Sequence, residues 1–122
     1  MGDPGFGGVM ATIADFRRAA LALPEASEGA HMGHPDFRVR NKIFASLGVP
    51  DGAWGMVKLT PEQQEMLIAA EPAAFKPAAG AWGRRGATHM RLAAVDRTTL
   101  KSALTMAWRN TAPKALVARQ SG

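Results

Sequence analysis

Apolar residues recur three or four positions apart in three segments of this chain, a spacing that predicts amphipathic helices. The first segment, residues 12–23, begins at Thr12 as the capping residue and ends before Pro24. The second begins at Thr60, where Thr-Pro-Glu-Gln combines a capping box with proline at the first helical position. The third follows Asp96 as its cap and carries one apolar stripe, formed by Leu100, Ala103, Leu104, Ala107 and Trp108.

Between residues 27 and 59 the spacing of apolar residues changes to two, which is typical of half-buried strands. Phe37 and Val39, for example, alternate with charged neighbours. Asn41 tolerates a positive φ and predicts a tight reversal between two strands, which indicates antiparallel pairing. A further strand is predicted at residues 88–92. In it, Met90 and Leu92 are expected to point into the core, and His89 and Arg91 to point outward.

These elements together predict an α+β fold in which an antiparallel β-sheet is flanked by helices. The length of 122 residues fits a single domain, which we place at residues 11–122. Residues 1–10 are rich in glycine and are predicted to form a flexible leader, with Met10 as a candidate natural start. The predicted core comprises Phe16, Phe37, Ile43, Leu59, Leu67, Leu92, Leu104 and Trp108.

The amino-acid composition indicates which broad class of protein this chain belongs to. Hydrophobic residues make up 47% and charged residues 20%, which are globular proportions. No apolar run approaches the roughly 18 residues of a membrane span, and the opening residues lack the basic and apolar regions of a secretory signal. We therefore expect a cytoplasmic protein without a membrane partner, present as a monomer or a weak homodimer.

Candidate catalytic and metal-binding residues are few. The chain has no cysteine, which excludes disulfides, thiolate metal sites and cysteine nucleophiles. His31, His34 and Asp36 could ligate a metal, but a spacing of three on a strand does not place two histidines on one face. Ser46 lacks the glycine-flanked elbow of a hydrolase. We therefore expect no enzymatic activity, no catalytic residue, no resident metal and no cofactor.

Positive charge is concentrated toward the end of the chain. The net charge is +5, and residues 84–122 hold eight of the 15 basic residues together with one acidic residue, Asp96. Such a distribution is typical of a phosphate-binding surface, although lysine and arginine also simply solvate helices and loops.

The most distinctive segment within this basic region is Gly80–Gly86, which we predict to be a glycine-punctuated loop. Its glycines allow close approach of the backbone to a ligand, and Arg84 and Arg85 supply bidentate donors. Trp82 offers a stacking face for a base. Tryptophan is buried on average, however, so the sequence favours a Trp82 that fills the core and leaves the exposed alternative open.

Several short motifs occur in a characteristic order and spacing. They are His34-Pro35-Asp36-Phe37-Arg38-Val39, Asn41-Lys42-Ile43-Phe44-Ala45, Val57-Lys58-Leu59, Pro77 with Gly80-Ala81-Trp82-Gly83, and Ala107-Trp108-Arg109 through Ala112-Pro113-Lys114. In this combination the chain closely resembles the MmcQ/YjbR family of small bacterial proteins. The resemblance covers residues 13–116. Ala87 departs from the pattern, since many relatives have tryptophan after Gly-Arg-Arg-Gly.

The resemblance implies a CyaY-like α+β fold of the double-wing type, and the family is commonly labelled DNA-binding because of that fold. This label is an analogy of fold, which does not determine function. Frataxin-type relatives bind iron through an acidic first helix. Here Arg17 and Arg18 oppose Asp15 in that helix, so iron binding of that kind is not expected.

Two functions from different classes follow. The first is weak DNA binding without sequence specificity, through the outer sheet face and the basic loop; its candidate residues are Arg38, Arg40, Lys42, Lys58, Trp82, Arg84, Arg85, His89 and Arg91. The second is a protein-binding or small-ligand-binding domain without a nucleic-acid function, using Trp54 and Trp82 near a concave sheet face.

Overall fold

The computed structural model describes residues 10–121, and the local sequence signals account for where most of its elements begin. The helices are α1 (Ile13–Leu21), α2 (Pro61–Ala70), α3 (Gly80–Arg84), α4 (Arg97–Thr111) and α5 (Lys114–Ser121). The strands are β1 (Ala26–His31), β2 (His34–Val39), β3 (Lys42–Leu47), β4 (Trp54–Lys58), β5 (Phe75–Pro77) and β6 (Ala87–Arg91). No helix within residues 10–121 is long and apolar enough to cross a lipid bilayer.

The predicted helix starts are confirmed by their capping contacts. The hydroxyl of Thr12 accepts a hydrogen bond from the backbone N–H of Asp15 at 3.1 Å, and the Asp15 carboxylate accepts one in return from the Thr12 N–H at 3.0 Å. Thr60 and Gln63 form the same reciprocal box at the start of α2. The carboxylate of Asp96 caps α4. Each cap satisfies backbone donors that have no partner within the helix.

The six strands form one antiparallel sheet in the order β1-β2-β3-β4-β6-β5. Two-residue turns join the first three strands. At one of them Arg40 and Asn41 have φ values of 50° and 68°, so the reversal predicted at Asn41 is confirmed. The sequence did not indicate β5, which is three residues long and ends in Pro77 at the edge of the sheet. The predicted α+β fold with an antiparallel sheet is confirmed.

The core lies between one face of the sheet and the helices α1 and α4. Phe16 packs beside Phe37 with ring centroids 5.7 Å apart, and a side chain at Gly55 would come within 2.5 Å of the Phe16 ring. Seven of the eight predicted core residues are buried, namely Phe16, Phe37, Leu59, Leu67, Leu92, Leu104 and Trp108.

Ile43 is the exception, and its placement in the core was wrong. The register between β2 and β3 shifts between Phe37 and Arg38, which inserts Phe44 as an extra residue into β3. Phe44 and Ala45 are therefore both buried, while Ile43, paired with Arg38, is half-buried on the opposite side of the sheet. A bulge of this kind interrupts the simple alternation on which the sequence prediction depended.

Two other predictions concern the leader at residues 1–10 and the glycine-punctuated loop at residues 80–86. The proposed leader lies largely outside the described residues, which begin at Met10, and Met10 itself forms an isolated bridge with Asp96. The stretch predicted as a loop at residues 80–86 is mostly helical, because α3 spans Gly80–Arg84 and Arg85 caps it.

Candidate nucleic-acid interface

The side of the sheet that faces away from α1 and α4 carries a mixture of aromatic, charged and apolar side chains, and we refer to it as the open sheet face. The strand registers align these side chains in rows across the sheet. They include His34, Asp36, Arg38, Ile43, Ser46, Trp54, Met56, Lys58, His89 and Arg91. Of the nine candidate residues from the sequence, four thus belong to this face: Arg38, Lys58, His89 and Arg91. The other five lie on α3 or its cap (Trp82, Arg84 and Arg85) and at the turn between β2 and β3 (Arg40 and Lys42).

Arg38 is held on this surface by a buried carboxylate. Its Nε and terminal nitrogen donate to the two oxygens of Asp36 at 2.7 and 3.1 Å, and Asp36 is only 1% exposed. Gly29 of β1 makes room for the pair, since a Cβ there would lie 3.0 Å from the Asp36 carboxylate and 3.1 Å from the Arg38 guanidinium. The hydrogen bonds to Asp36 raise the pKa of Arg38. The charge of Arg38 is therefore largely compensated within the fold.

Arg40 is compensated in a similar way by Glu25. The guanidinium donates two hydrogen bonds to the Glu25 carboxylate, and Arg119 lies 3.6 Å from the same group. Hydrogen bonding to Arg40 lowers the pKa of Glu25, so the carboxylate stays charged. Arg40 therefore contributes less free positive charge to the candidate surface than the sequence suggests.

The remaining candidate cations are not compensated in this way. Within residues 10–121 they form no ion pair with a carboxylate; they are Lys42, Lys58, Arg84, Arg85 and Arg91. Four of them are exposed, and Lys58 is half-buried beside Trp82. These five residues are the available cations of the interface.

Trp82 is 61% exposed, and the prediction that it fills the core was wrong. The reason lies in its neighbour Gly83, which is buried and so closely packed that a Cβ would overlap the backbone carbonyl of Ala78. Gln64 of α2 also donates to the Gly83 carbonyl at 3.0 Å. Because α3 turns its glycine inward, the adjacent indole is directed outward, where the ammonium group of Lys58 lies 5.6 Å from the ring centroid.

A second aromatic cluster lies farther along the open sheet face. The ammonium group of Lys76 is 4.5 Å from the centroid of the Trp54 ring, and the His89 ring lies 6.2 Å from the same indole. His89 was predicted to face outward, and its backbone register agrees, but Trp54 and Lys76 surround it and leave it only 9% exposed. It is therefore not available as a contact residue. Lys76 was not among the predicted site residues, because β5 itself was not predicted.

Burial of His89 has a consequence for the dependence of stability on pH. Its Nδ1 has no hydrogen-bond partner in the part of the chain that the structure describes, and burial, together with the nearby charge of Lys76, lowers its pKa below the ordinary 6.5. The unfolded chain therefore binds this proton more readily than the folded protein does. Above about pH 6.5 the His89 side chain is neutral in both states, and its contribution to the free energy of unfolding is fully present. As the pH falls below that value the unfolded chain takes up the proton first, so this contribution is progressively lost.

The corresponding test compares urea unfolding of the parent and of His89→Gln between about pH 7 and pH 5. We expect the parent to lose more stability over this interval than the variant, because His31, His34 and all carboxylates are common to both proteins. Parallel pH profiles for the two proteins would show that His89 retains its ordinary pKa in the fold.

The open sheet face also contains a groove of about 580 Å³. It lies between Trp82 and the turn that joins β1 and β2, and it is lined by His31, Met32, His34, Asp36, Ile43, Ser46, Val49, Met56, Lys58 and Trp82. His31, His34 and Asp36 thus share one end of the groove, but Asp36 is engaged by Arg38. In the described stretch no three histidine, aspartate or glutamate residues are arranged to hold a metal ion.

Comparisons with known proteins agree with the motifs of this chain. The model of the YjbR family matches residues 21–110. Among solved structures, the crystal structure of the Deinococcus radiodurans protein DR2400, with the family-model domain DUF419, is similar to this fold with a TM-score of 0.71. The two share 19% sequence identity, and the match covers 92% of this chain and 89% of that one. No curated protein matches the chain.

Proposed function

The chain belongs to the YjbR family, and from the surface that its fold presents we propose that it binds nucleic acid weakly and without sequence specificity. The proposed contact surface runs from α3 across the adjacent part of the open sheet face. Family membership itself names no ligand, so the proposal depends on the side chains of this surface.

The observation that carries the proposal is the exposed Trp82, which lies among three cations that have no carboxylate partner within residues 10–121. Lys58 contacts its ring, and Arg84 and Arg85 follow it closely in the chain. Proteins that bind single strands without sequence preference combine stacking on an aromatic ring with positive charge along the backbone path. One exposed indole would stack on one base, a contact that contributes about 1–3 kcal/mol in such proteins. A preference for single-stranded over duplex nucleic acid is therefore expected.

Sequence-specific reading of duplex DNA is not supported by the arrangement of the helices. A recognition helix presents polar side chains to base edges in the major groove. The longest helix, α4, turns an apolar stripe toward the sheet, and α3 is only five residues long. Contacts limited to phosphates and to one stacked base give dissociation constants near the non-specific range of about 10⁻⁴ to 10⁻⁶ M at physiological salt.

The test is the double variant Arg84→Ala/Arg85→Ala, titrated with a labelled single-stranded oligonucleotide at several salt concentrations. Binding should weaken similarly for unrelated sequences, and the slope of log affinity against log salt should fall by up to about 0.7 for each phosphate that the variant no longer neutralises. Lys101→Ala/Lys114→Ala is the matched control, because it removes the same charge from exposed positions on α4 and α5.

Two outcomes would overturn the proposal. If the folded Arg84→Ala/Arg85→Ala variant binds as well as the parent, or as well as the Lys101→Ala/Lys114→Ala control, the surface around Trp82 is not the site. If the parent itself shows no binding at low salt, the protein has no nucleic-acid function of this kind, and binding of a protein or small ligand becomes the leading function.

A further inference from the structure

The groove on the open sheet face combines an apolar floor with an aromatic wall. Ile43 and Met56 form part of its lining at the centre of the sheet, and Trp82 lies at one side. Its volume of about 580 Å³ falls within the range of small-molecule sites, roughly 300–1,000 Å³. An apolar floor beside an indole favours a flat ring over a flexible or strongly polar molecule.

The charged groups around the groove favour an anion. Lys58 lines the groove and also two adjoining depressions, one shared with Lys42 and the other with Arg85. None of these three cations pairs with a carboxylate in residues 10–121. Among the described residues, the carboxylate that lines the groove is that of Asp36, whose charge is already compensated by two hydrogen bonds from Arg38. A negative group near Lys58 would therefore meet net positive charge.

From this combination we propose that the groove is a binding site for a small planar molecule that carries one anionic group. The ring lies against Trp82 and the apolar floor, and the phosphate or carboxylate lies beside Lys58. This function goes beyond nucleic-acid binding, since a free small molecule needs neither Arg84 nor a chain of phosphates. Nucleoside monophosphates and aromatic carboxylic acids share the required chemistry.

The experiment titrates the protein with two probes, adenosine monophosphate and 2-naphthoate, and records the indole N–H signals by ¹H–¹⁵N correlation spectroscopy. The chain has three tryptophans, so Trp82→Phe identifies the Trp82 signal directly. Binding of either probe should shift the Trp82 signal and leave that of buried Trp108 in place. If only adenosine monophosphate binds, the ligand is a phosphate. If only 2-naphthoate binds, the ligand is a carboxylate. Uncharged adenosine should bind about tenfold more weakly than its monophosphate, because it lacks the group that Lys58 attracts.

Two variants locate the site. Ser46→Phe fills the groove from the open sheet face and should abolish binding of both probes, while Lys58→Met removes the cation and should weaken binding about tenfold. Lys101→Met on α4 is the control for removal of a lysine and should bind normally. Arg84→Ala leaves Lys42, Lys58 and Arg85 in place and should bind both probes normally while its nucleic-acid binding weakens, which separates this site from the proposed nucleic-acid surface.

The proposal is wrong if neither probe shifts the Trp82 signal. It is equally wrong if Ser46→Phe and Lys58→Met, each folded by circular dichroism, bind the probes as the parent does. Should Ser46→Phe fail to fold, Lys58→Met decides the question by itself, because its change is confined to the end of a half-buried side chain.

Discussion

Replacement of Trp108 with alanine should destabilise the protein by about 3–5 kcal/mol, measured as the change in the free energy of unfolding in urea. Trp108 is 1% exposed and belongs to the apolar stripe of α4 that packs against the sheet. Its Nε1 also donates a hydrogen bond of 2.9 Å to the carbonyl of Pro24, which links α4 to the segment before β1. Truncation would leave both a large cavity and a carbonyl without this donor. Since small domains are stable by roughly 5–15 kcal/mol, the change removes a large part of the total stability.

The chain supplies a matched control at Trp82, the same residue type with the opposite exposure. Trp82→Ala removes an indole that is 61% exposed and should change the free energy of unfolding by no more than about 0.5 kcal/mol. Trp108→Phe retains most of the apolar volume and isolates the hydrogen bond to Pro24, whose removal should cost about 1–2 kcal/mol. Equal destabilisation by Trp82→Ala and Trp108→Ala would contradict the placement of α4 over the sheet.

The contrast between these two tryptophans shows which features of the fold can be predicted from sequence. Trp108 lies on a long stripe with helical spacing, and a stripe of that length determines which face is buried. Trp82 lies in a helix of five residues, too short to show a period. Its exposure depends on the tight packing of Gly83 against Ala78, a contact that no pattern of apolar positions records.

The distribution of charge was likewise predictable from the sequence only in part, because ion pairs formed in the fold change which charges remain available. The sequence places a net positive charge in residues 84–122, but the fold pairs part of it with acidic residues from the beginning of the chain. Arg97 donates to Asp15 at 3.2 Å, and Arg119 lies 3.6 Å from Glu25. Conversely, Lys58 comes from the nearly neutral part of the chain and reaches Trp82 only because β4 lies next to β6. Charge along the chain therefore indicated Arg84, Arg85 and Arg91, whereas Lys42 and Lys58 became candidates only through the predicted outer face of the sheet.

The groove depends on yet another feature that alternation could not predict. With regular alternation Ile43 would have been part of the core, as we expected from its apolar character. The bulge in β3 places Ile43 on the open sheet face instead, beside Ser46 and Met56. One inserted residue thus determines both the packing of the core and the apolar floor of the proposed ligand site.

Replacement of Gly86 with alanine should destabilise the protein by about 3 kcal/mol or more and should also disturb the surface around Trp82. Gly86 has a φ of +113°, which side chains with a Cβ rarely adopt. A Cβ at this position would also overlap the carbonyl oxygen of Leu59 and lie 2.8 Å from its carbonyl carbon. These are backbone atoms at the end of β4, where the Leu59 N–H donates to the Gly86 carbonyl at 3.2 Å, so the clash cannot be relieved by rotation of a side chain.

Gly52→Ala provides the control for this prediction. Gly52 lies in the turn before β4, a Cβ there would meet no other atom within 4 Å, and its backbone does not require a positive φ. Its replacement should leave stability unchanged or raise it by about 0.4–1 kcal/mol, because alanine restricts the unfolded chain. Thermal unfolding of both variants gives the comparison, and the Trp82 indole signal reports whether α3 has moved. If Gly86→Ala is as stable as Gly52→Ala and leaves that signal unchanged, the junction between α3 and β6 does not hold Trp82 in place, and both proposed binding sites lose their common support.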